Sequence, residues 1–249
     1  MNRLLLPLIA VFLSTSAVAK SDDSLCPEML YAKAKKYLQL DSVFPRDRGG
    51  AVVDAACKSW PYDKRFLLAV VAYENGIEYE KSLLVAKLDL NDGRIVASYR
   101  GVMSEDAIKV VGEGSLQLDT AKYQLSPTLR AFGVRFNSKA RGPSCADGAY
   151  WDELTLFIQQ NGRLRPVFRK EMQFQNALRG CIGSATGHDV WEYGVRTISI
   201  AETTSTGLAD LLITETITLG GNAEPIPTDF ASKKRTRSYL MKYDGSEYR

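Results

Sequence analysis

The chain has 249 residues, of which 45% are hydrophobic and 24% charged, and these fractions exclude disorder, collagen and coiled coil as descriptions of the whole chain. The formal net charge of +3 is too small to indicate a nucleic-acid partner. The length is sufficient to bury one large core without help from a metal or a partner chain.

The N-terminal segment has the layout of a secretory signal peptide. Arg3 supplies a positive charge, residues 4–13 form a ten-residue apolar run, and small residues at 17–19 precede Lys20. Ten apolar residues are too few to cross a bilayer core of about 30 Å. We therefore expect residues 1–19 to be removed and residues 20–249 to form a single periplasmic or secreted domain with no membrane span.

Four cysteines remain after residue 19, and an even number in an exported protein indicates two disulfides. No two of them lie closer than 31 positions, so the paired spacing of a zinc site or a redox motif is missing. Among the three possible pairings, we favour the sequential one, Cys26–Cys57 with Cys145–Cys181.

One helix is predicted, over residues 27–40. Leu30, Ala34, Tyr37 and Leu38 have the spacing of one helical face, and Pro27 suits the first turn. Residues 44–50 then break the pattern, and residues 51–56 are ambiguous between strand and loop.

From residue 65 onward the pattern is that of β-strands. Runs rich in β-branched and aromatic residues are separated by turn residues. The predicted strands are 66–73, 82–90, 94–99, 116–125, 129–136, 153–159, 163–168, 196–201, 209–219, 237–243 and 246–249.

Three hairpin turns are marked by a glycine that follows Asn or Asp, namely Gly93, Gly162 and Gly245. Their spacing is too uneven for a strict repeat, but the strand types around them follow the same order. We therefore predict a mainly β fold, in which repeated hairpins form an antiparallel sandwich, a barrel or a small propeller-like arrangement, with one N-terminal helix. Chance similarity among hairpins explains the same order equally well.

Catalytic and metal-binding patterns are absent from the sequence. The only histidine, His188, follows a glycine-rich loop, and no nucleophile elbow accompanies it. Residues 89–93 have the acidic character of a calcium loop, but the glycine is misplaced and the twelfth-position acid is missing, so a hairpin turn explains them. We expect no cofactor and no metal, and we favour a protein that is not an enzyme.

Two aromatic–acidic segments are the best candidates for a binding site. Tyr150 and Trp151 follow Cys145, while His188, Trp191 and Tyr193 follow Cys181, so the second disulfide would bring both segments together. Aromatic faces beside carboxylates suit sugar rings or a protein partner. The alternatives are that both tryptophans fill the ends of the core, or that the carboxylates form a glycosidase pair.

A basic stripe is predicted at Lys233, Arg235 and Arg237, because alternate residues of a strand share one side. Such a stripe could hold an anion, or it could be the solvated edge strand that blocks edge-to-edge pairing.

Several phrases of the sequence resemble a group of exported proteobacterial proteins. They are residues 57–61, 118–125, 130–135 and 243–245, and the likeness covers most of residues 57–249. The phrases lie in strands and turns, and the resemblance implies neither an activity nor any site residue.

The sequence thus predicts an exported, non-catalytic binding protein for a protein partner or an envelope glycan, with an inhibitor or immunity-type factor as one form of it. An envelope hydrolase that uses carboxylates and a structural component of an envelope assembly are the alternatives.

Overall fold

The computed structural model describes residue 26 and residues 28–38, 50–182, 189–221 and 234–249, with the side chains of Met29, Leu38 and Tyr150 left out. The predicted signal peptide lies outside the described residues. None of the described helices is long and apolar enough to cross a membrane.

One helix and eleven strands make up the described part of the chain. They are α1 (Glu28–Leu38), β1 (Val52–Ser59), β2 (Phe66–Glu74), β3 (Glu80–Asp89), β4 (Ile95–Ser104), β5 (Leu116–Gln124), β6 (Arg130–Phe136), β7 (Gly148–Gln160), β8 (Arg163–Arg179), β9 (Val190–Ser205), β10 (Leu208–Gly221) and β11 (Lys234–Met241).

The first eight strands form two antiparallel meanders of four strands each. The order in the sheet is β1-β2-β3-β4-β8-β7-β6-β5, so the fourth strands of the two meanders are neighbours and the first strands lie at the two ends. The sheet curls until β1 and β5 approach each other, which gives a nearly closed, barrel-like wall. The mainly β prediction is therefore confirmed, in its barrel form.

The two meanders meet along two seams that have few backbone hydrogen bonds. At one seam β4 and β8 run parallel and pair only at Ser98 and Arg163. At the other seam the buried carboxylate of Asp54 in β1 accepts hydrogen bonds from the backbone N–H groups of Gly114 (3.0 Å) and Leu116 (2.6 Å). The Asp54 side chain thus supplies hydrogen bonds across this seam in place of backbone pairing between the strands.

Apolar side chains fill the interior of the barrel. Leu68 and Val70 of β2, Val85 of β3, Phe132 of β6 and Phe157 of β7 belong to one buried cluster. Alternate residues of β2 and β3 point outward instead, where Leu30 and Ala34 of α1 cover them. Strand β2 is consequently buried on both sides, and its uninterrupted apolar run reflects this position.

The helix is confirmed within the described residues, and Leu30 and Ala34 are fully buried as predicted. Tyr37 differs from the prediction, because 39% of it is exposed. Its hydroxyl contacts the Ser98 hydroxyl at 2.5 Å, and the Arg100 guanidinium lies 4.5 Å from its ring centroid. The ring therefore anchors the helix end on β4 from the barrel surface.

Strands β9, β10 and β11 extend the sheet beyond the barrel. Strand β9 pairs with residues 173–179 of β8. Strand β8 is 17 residues long, so its first half lies in the barrel wall and its second half in this extension. The extension packs over the outside of the second meander, where Leu211 and Ile213 meet Leu154 and Leu156 in a separate buried cluster. We refer to β9–β11, with the adjoining parts of β7 and β8, as the C-terminal sheet.

All the predicted strands except 246–249 are found, and several are longer than predicted. Strand β8 continues to Arg179 and β9 begins at Val190, because polar residues in these parts pair across strands rather than form loops. Residues 246–249 form only an isolated bridge between Tyr243 and Tyr248. The ambiguous residues 51–56 belong largely to β1.

The glycine-marked turns lie where the sequence predicts them. Asn161 and Gly162 have φ angles of 51° and 71° between β7 and β8, as a tight hairpin turn requires. Gly93 lies at the corresponding place between β3 and β4, so the first two units occupy equivalent positions in the two meanders.

Both disulfides join the predicted cysteines. Cys26 with Cys57 ties the start of the helix to β1, and Cys145 with Cys181 joins the approach to β7 with the chain after β8. Loops of this length contribute about 3–4 kcal/mol by constraining the unfolded chain.

We predict that Asp54→Ala lowers the free energy of unfolding by about 2–4 kcal/mol, because two backbone N–H groups at the seam lose their acceptor. Asp54→Asn retains one acceptor oxygen and should lose less. Denaturant melts of both variants, with Asp92→Ala in an exposed turn as the control, measure the difference.

The pH dependence provides a second test of Asp54. Burial raises the pKa of Asp54 above its ordinary value of 3.8, although the N–H groups of Leu116 and Gly114 oppose this. The folded state therefore binds more protons than the unfolded state, and stability falls as pH rises from 3.8 through the folded pKa. The stability difference between wild type and Asp54→Asn should decrease over this range; a difference that increases with pH would contradict the assignment.

Candidate functional site

The C-terminal sheet has one buried side and one exposed side, and the candidate residues lie on the exposed side. Residues that pair across antiparallel strands share a side, so Trp151, Gln173 and Val195 form one row across β7, β8 and β9. Gln175 and Tyr193 form the next row, and Ala177 with Trp191 the row after that.

The buried side is held by an ion network around Glu215 of β10, which is fully buried. Its carboxylate accepts hydrogen bonds from Arg196 Nε at 2.6 Å and from Arg237 Nε at 2.7 Å. Burial alone would raise the pKa of Glu215, but the two guanidinium groups outweigh it and hold the pKa below the ordinary value. Arg196 also lies over the Phe174 ring, 4.1 Å from its centroid.

A close backbone approach completes this buried side. The Phe174 ring rests directly on Gly194 of β9, where an added Cβ would lie 2.0 Å from the ring. Only glycine leaves room for the ring at this position, and the ring in turn covers the bare backbone of the neighbouring strand. The side opposite the candidate residues is therefore closely packed and held by ion pairs.

On the exposed side, Trp151 and Tyr193 form an aromatic pair. Their ring centroids are 6.4 Å apart with a tilt of 53°, and 38% of Trp151 is exposed. The Tyr193 hydroxyl donates a hydrogen bond to Gln173 Oε1 at 3.1 Å, which fixes the tyrosine ring against the neighbouring strand. Two apolar ring surfaces therefore lie beside a side-chain amide on a solvent-facing sheet.

Trp191 lies two residues before Tyr193 in β9, and its ring packs against the backbone of the neighbouring strand. Its indole covers Gly220 of β10, where an added Cβ would lie 2.8 Å from the indole nitrogen. It is partly buried, and no ring contact joins it to Trp151 among the described residues. The disulfide between Cys145 and Cys181 lies at this same end of β7 and β8, and the two aromatic segments meet here through Trp151 and Tyr193.

The backbone at Asp152 is unusual. Its φ angle of 59° lies in the left-handed region, which costs a non-glycine residue of order 1–3 kcal/mol. Arg135 of β6 binds both Asp152 and Asp119, and this double ion pair keeps Asp152 in place. The strained residue directly follows Trp151 in the sequence.

The remaining candidates are only partly described. Tyr150 pairs with Phe174 through its backbone, but its side chain is not described. His188 lies outside the described residues. Gln173 and Gln175, which flank the aromatic pair, were not predicted to belong to the site. The alternation of polar and apolar residues indicates only that they lie on one side of a strand.

Hydroxyl groups continue the exposed side across β10 and β11. Thr214 lies 2.9 Å from Ser238 and Thr216 lies 3.4 Å from Thr236, oxygen to oxygen. The sheet beyond the rings is therefore polar and uncharged over two rows.

Three carboxylates of the aromatic–acidic segments are engaged by cations. Asp152 binds Arg135, Glu153 binds Arg169 at 2.8 Å, and Glu192 binds Arg235 at 2.6 Å. A glycosidase needs one carboxyl group free to deliver a proton, and a carboxylate that neutralises an arginine is ill placed for this. The ion pairs thus weigh against the hydrolase alternative.

The basic stripe on β11 is likewise neutralised in its described part. Arg235 binds Glu192, and Arg237 binds Glu215 at 2.6 Å, while Lys233 lies outside the described residues. This arrangement favours a charged edge strand over an anion site.

Among the described residues, no group of three or more histidine, cysteine, aspartate or glutamate side chains is arranged to hold a metal ion. Comparison of the chain with protein-family models, with curated proteins and with solved structures found no match.

We predict that Glu215→Ala destabilises the protein by about 3–5 kcal/mol, because Arg196 would remain in the sheet without its partner. Arg235→Ala removes an ion pair whose arginine is well exposed and should cost less than about 1 kcal/mol. Denaturant melts of the two variants give the comparison. Equal losses would show that the buried network does not support the sheet.

Proposed function

We propose that this protein is an exported, non-catalytic binding protein whose ligand is a glycan of the cell envelope. The observation that carries the proposal is the exposed Trp151–Tyr193 pair beside Gln173 and Gln175. The apolar face of a sugar ring stacks on indole and phenol rings, while its hydroxyl groups bond to amides at the edge.

The side-chain amides next to the rings have donors and acceptors that form no hydrogen bond within the described part of the chain. Gln173 accepts one bond from Tyr193, and the side chain of Gln175 forms no hydrogen bond with the described part of the chain. A glycan hydroxyl can both donate to an amide oxygen and accept from an amide nitrogen. The site therefore suits a neutral, hydroxyl-rich ligand better than a charged one.

The groups on the exposed side of the sheet also favour binding over chemistry. Carboxylates near the rings are committed to arginines, and the hydroxyl rows of β10 and β11 offer a surface along which a chain of sugars can lie. Export is supported by the signal-like N-terminus and by the two disulfides, which persist in oxidising compartments.

We predict that Trp151→Ala weakens binding to isolated peptidoglycan sacculi and to soluble N-acetylglucosamine oligomers by about 2 kcal/mol, roughly 30-fold. Its free energy of unfolding should fall by less than about 2 kcal/mol, since 38% of the residue is exposed. Sedimentation with sacculi and calorimetry with the oligomers measure binding, and a denaturant melt measures stability.

Tyr79→Ala is the matched control, because Tyr79 is 67% exposed and lies outside the C-terminal sheet. It should leave glycan binding unchanged. A stability loss of 3–5 kcal/mol in Trp151→Ala would identify the indole as part of the core. If wild type binds neither probe but captures a protein through Trp151, the ligand is a protein and the glycan proposal is wrong.

We also predict that His188→Ala keeps glycan binding within a few-fold of wild type. A catalytic histidine would instead show a loss of about 10³-fold in turnover of a cleaved substrate. Product analysis of oligomers incubated with wild type and with the variant distinguishes the two. Cleavage that depends on His188 would overturn the non-catalytic function.

A further inference from the structure

The mouth of the barrel lies at the end where the hairpin turns of both meanders gather. Trp60 follows β1, Lys87 lies near the end of β3, Arg130 begins β6 and Gln159 lies near the end of β7. Together they line a cavity of about 350 Å³, whose floor is formed by Leu68, Phe132 and Leu164 of the barrel core. This volume is at the small end of the range for ligand pockets.

Two cationic side chains line this mouth, and neither has an ion-pair partner among the described residues. Lys87 Nζ donates to the neutral Gln159 Oε1 at 3.1 Å and lies 4.2 Å from the centroid of the Phe66 ring. Arg130 Nε donates to the neutral Gln124 Oε1 at 2.7 Å, and its guanidinium stacks 3.4 Å from the centroid of the Tyr62 ring. Amide oxygens and ring faces orient both cations without neutralising them.

The acidic groups nearby are absent or already occupied. None of the described residues that line the mouth is acidic. Asp63 acts on Lys87 only at a distance, since its carboxylate binds Arg65 at 2.7 Å. By contrast, the arginines of the C-terminal sheet are matched by carboxylates. The mouth thus carries two cations that no carboxylate of its own lining balances.

We propose that the barrel mouth is a second binding site, which takes a small molecule carrying a carboxylate or phosphate group on an aromatic or apolar body. The anionic group binds Lys87 and Arg130, and the apolar body rests against Trp60 and Phe132. Trp60 and Phe132 already form an edge-on pair with centroids 6.1 Å apart, so one further ring extends an existing stack.

The surroundings of Lys87 agree with this assignment. Burial lowers the pKa of Lys87 below its ordinary value, and the distant Asp63 offsets this only in part. A bound anion would supply the missing negative charge and would favour the charged ammonium. The partly buried position also strengthens the attraction, because solvent screens it less than at the surface.

This site is separate from the proposed glycan site. Trp151 and the mouth residue Gln159 are eight positions apart along β7, which corresponds to roughly 26 Å of extended chain. Binding at the mouth can therefore be tested independently of the C-terminal sheet.

The test uses three small probes with the same ring, namely benzoate, phenyl phosphate and neutral benzamide. Calorimetry and the NMR shift of the Trp60 indole N–H should detect binding of the two anions and not of benzamide. Lys87→Met should weaken anion binding by about ten-fold or more, the usual scale for losing a charged hydrogen bond. Lys35→Met, on the exposed side of α1, is the matched control and should bind as wild type does.

A labelling experiment on wild type avoids any dependence on the folding of a variant. An amine-acylating reagent followed by mass spectrometry reports the reactivity of each lysine. Benzoate and phenyl phosphate should protect Lys87 and leave Lys35 unprotected, whereas benzamide should protect neither. Equal protection by benzamide, no protection at all, or anion affinity that survives in Lys87→Met would overturn the proposal.

Discussion

The buried carboxylate of Asp54 joins the two end strands of the eight-stranded sheet and so helps to close the barrel-like wall. Strands β1 and β5 approach without a backbone ladder, and the two oxygens of Asp54 reach across to the N–H groups of Gly114 and Leu116. Placing an acidic group here is costly in itself, because burial disfavours its charge. Two backbone donors that would otherwise lack acceptors offset this cost in part, and their bonds to Asp54 hold β1 against β5.

The long strands β7 and β8 connect this enclosure to the C-terminal sheet. Their turn-proximal halves belong to the barrel wall, and their other halves carry the Trp151–Tyr193 pair and its support. The two candidate sites thus lie at opposite ends of the same strands but differ in character. The exposed sheet offers rings, amides and hydroxyls, whereas the mouth offers rings and two cations without carboxylates.

The sequence predicted those elements whose side chains follow a regular period. The helix, the glycine-marked turns and the central strands were located because burial on one side imposes a period of 3.6 or 2. The cysteine pairing was inferred from sequence order and compartment, and it is confirmed.

The outer parts of β8 and β9, residues 169–179 and 190–195, were missed, because their polar side chains pair across strands in a pattern that polarity alone assigns to loops. The aromatic residues at 151 and 193 were identified in advance, and their contact agrees with the prediction that the two segments come together. The sequence did not predict that Lys87 and Arg130 lack ion-pair partners among the described residues. This charge balance depends on which side chains from four separate turns meet at the mouth. No pattern along the sequence indicates those tertiary contacts.

The scarcity of backbone bonds at both seams has a consequence for how the chain reaches its native state. Within each meander every strand pairs with its neighbour in sequence, so these contacts close short loops at a small entropic cost. The contacts that join the meanders span far longer stretches, such as the 62 positions between Asp54 and Leu116. Each meander can therefore assemble as a unit of low contact order before the wall closes, and the seams become the places where the native barrel first opens and its amides first exchange with solvent.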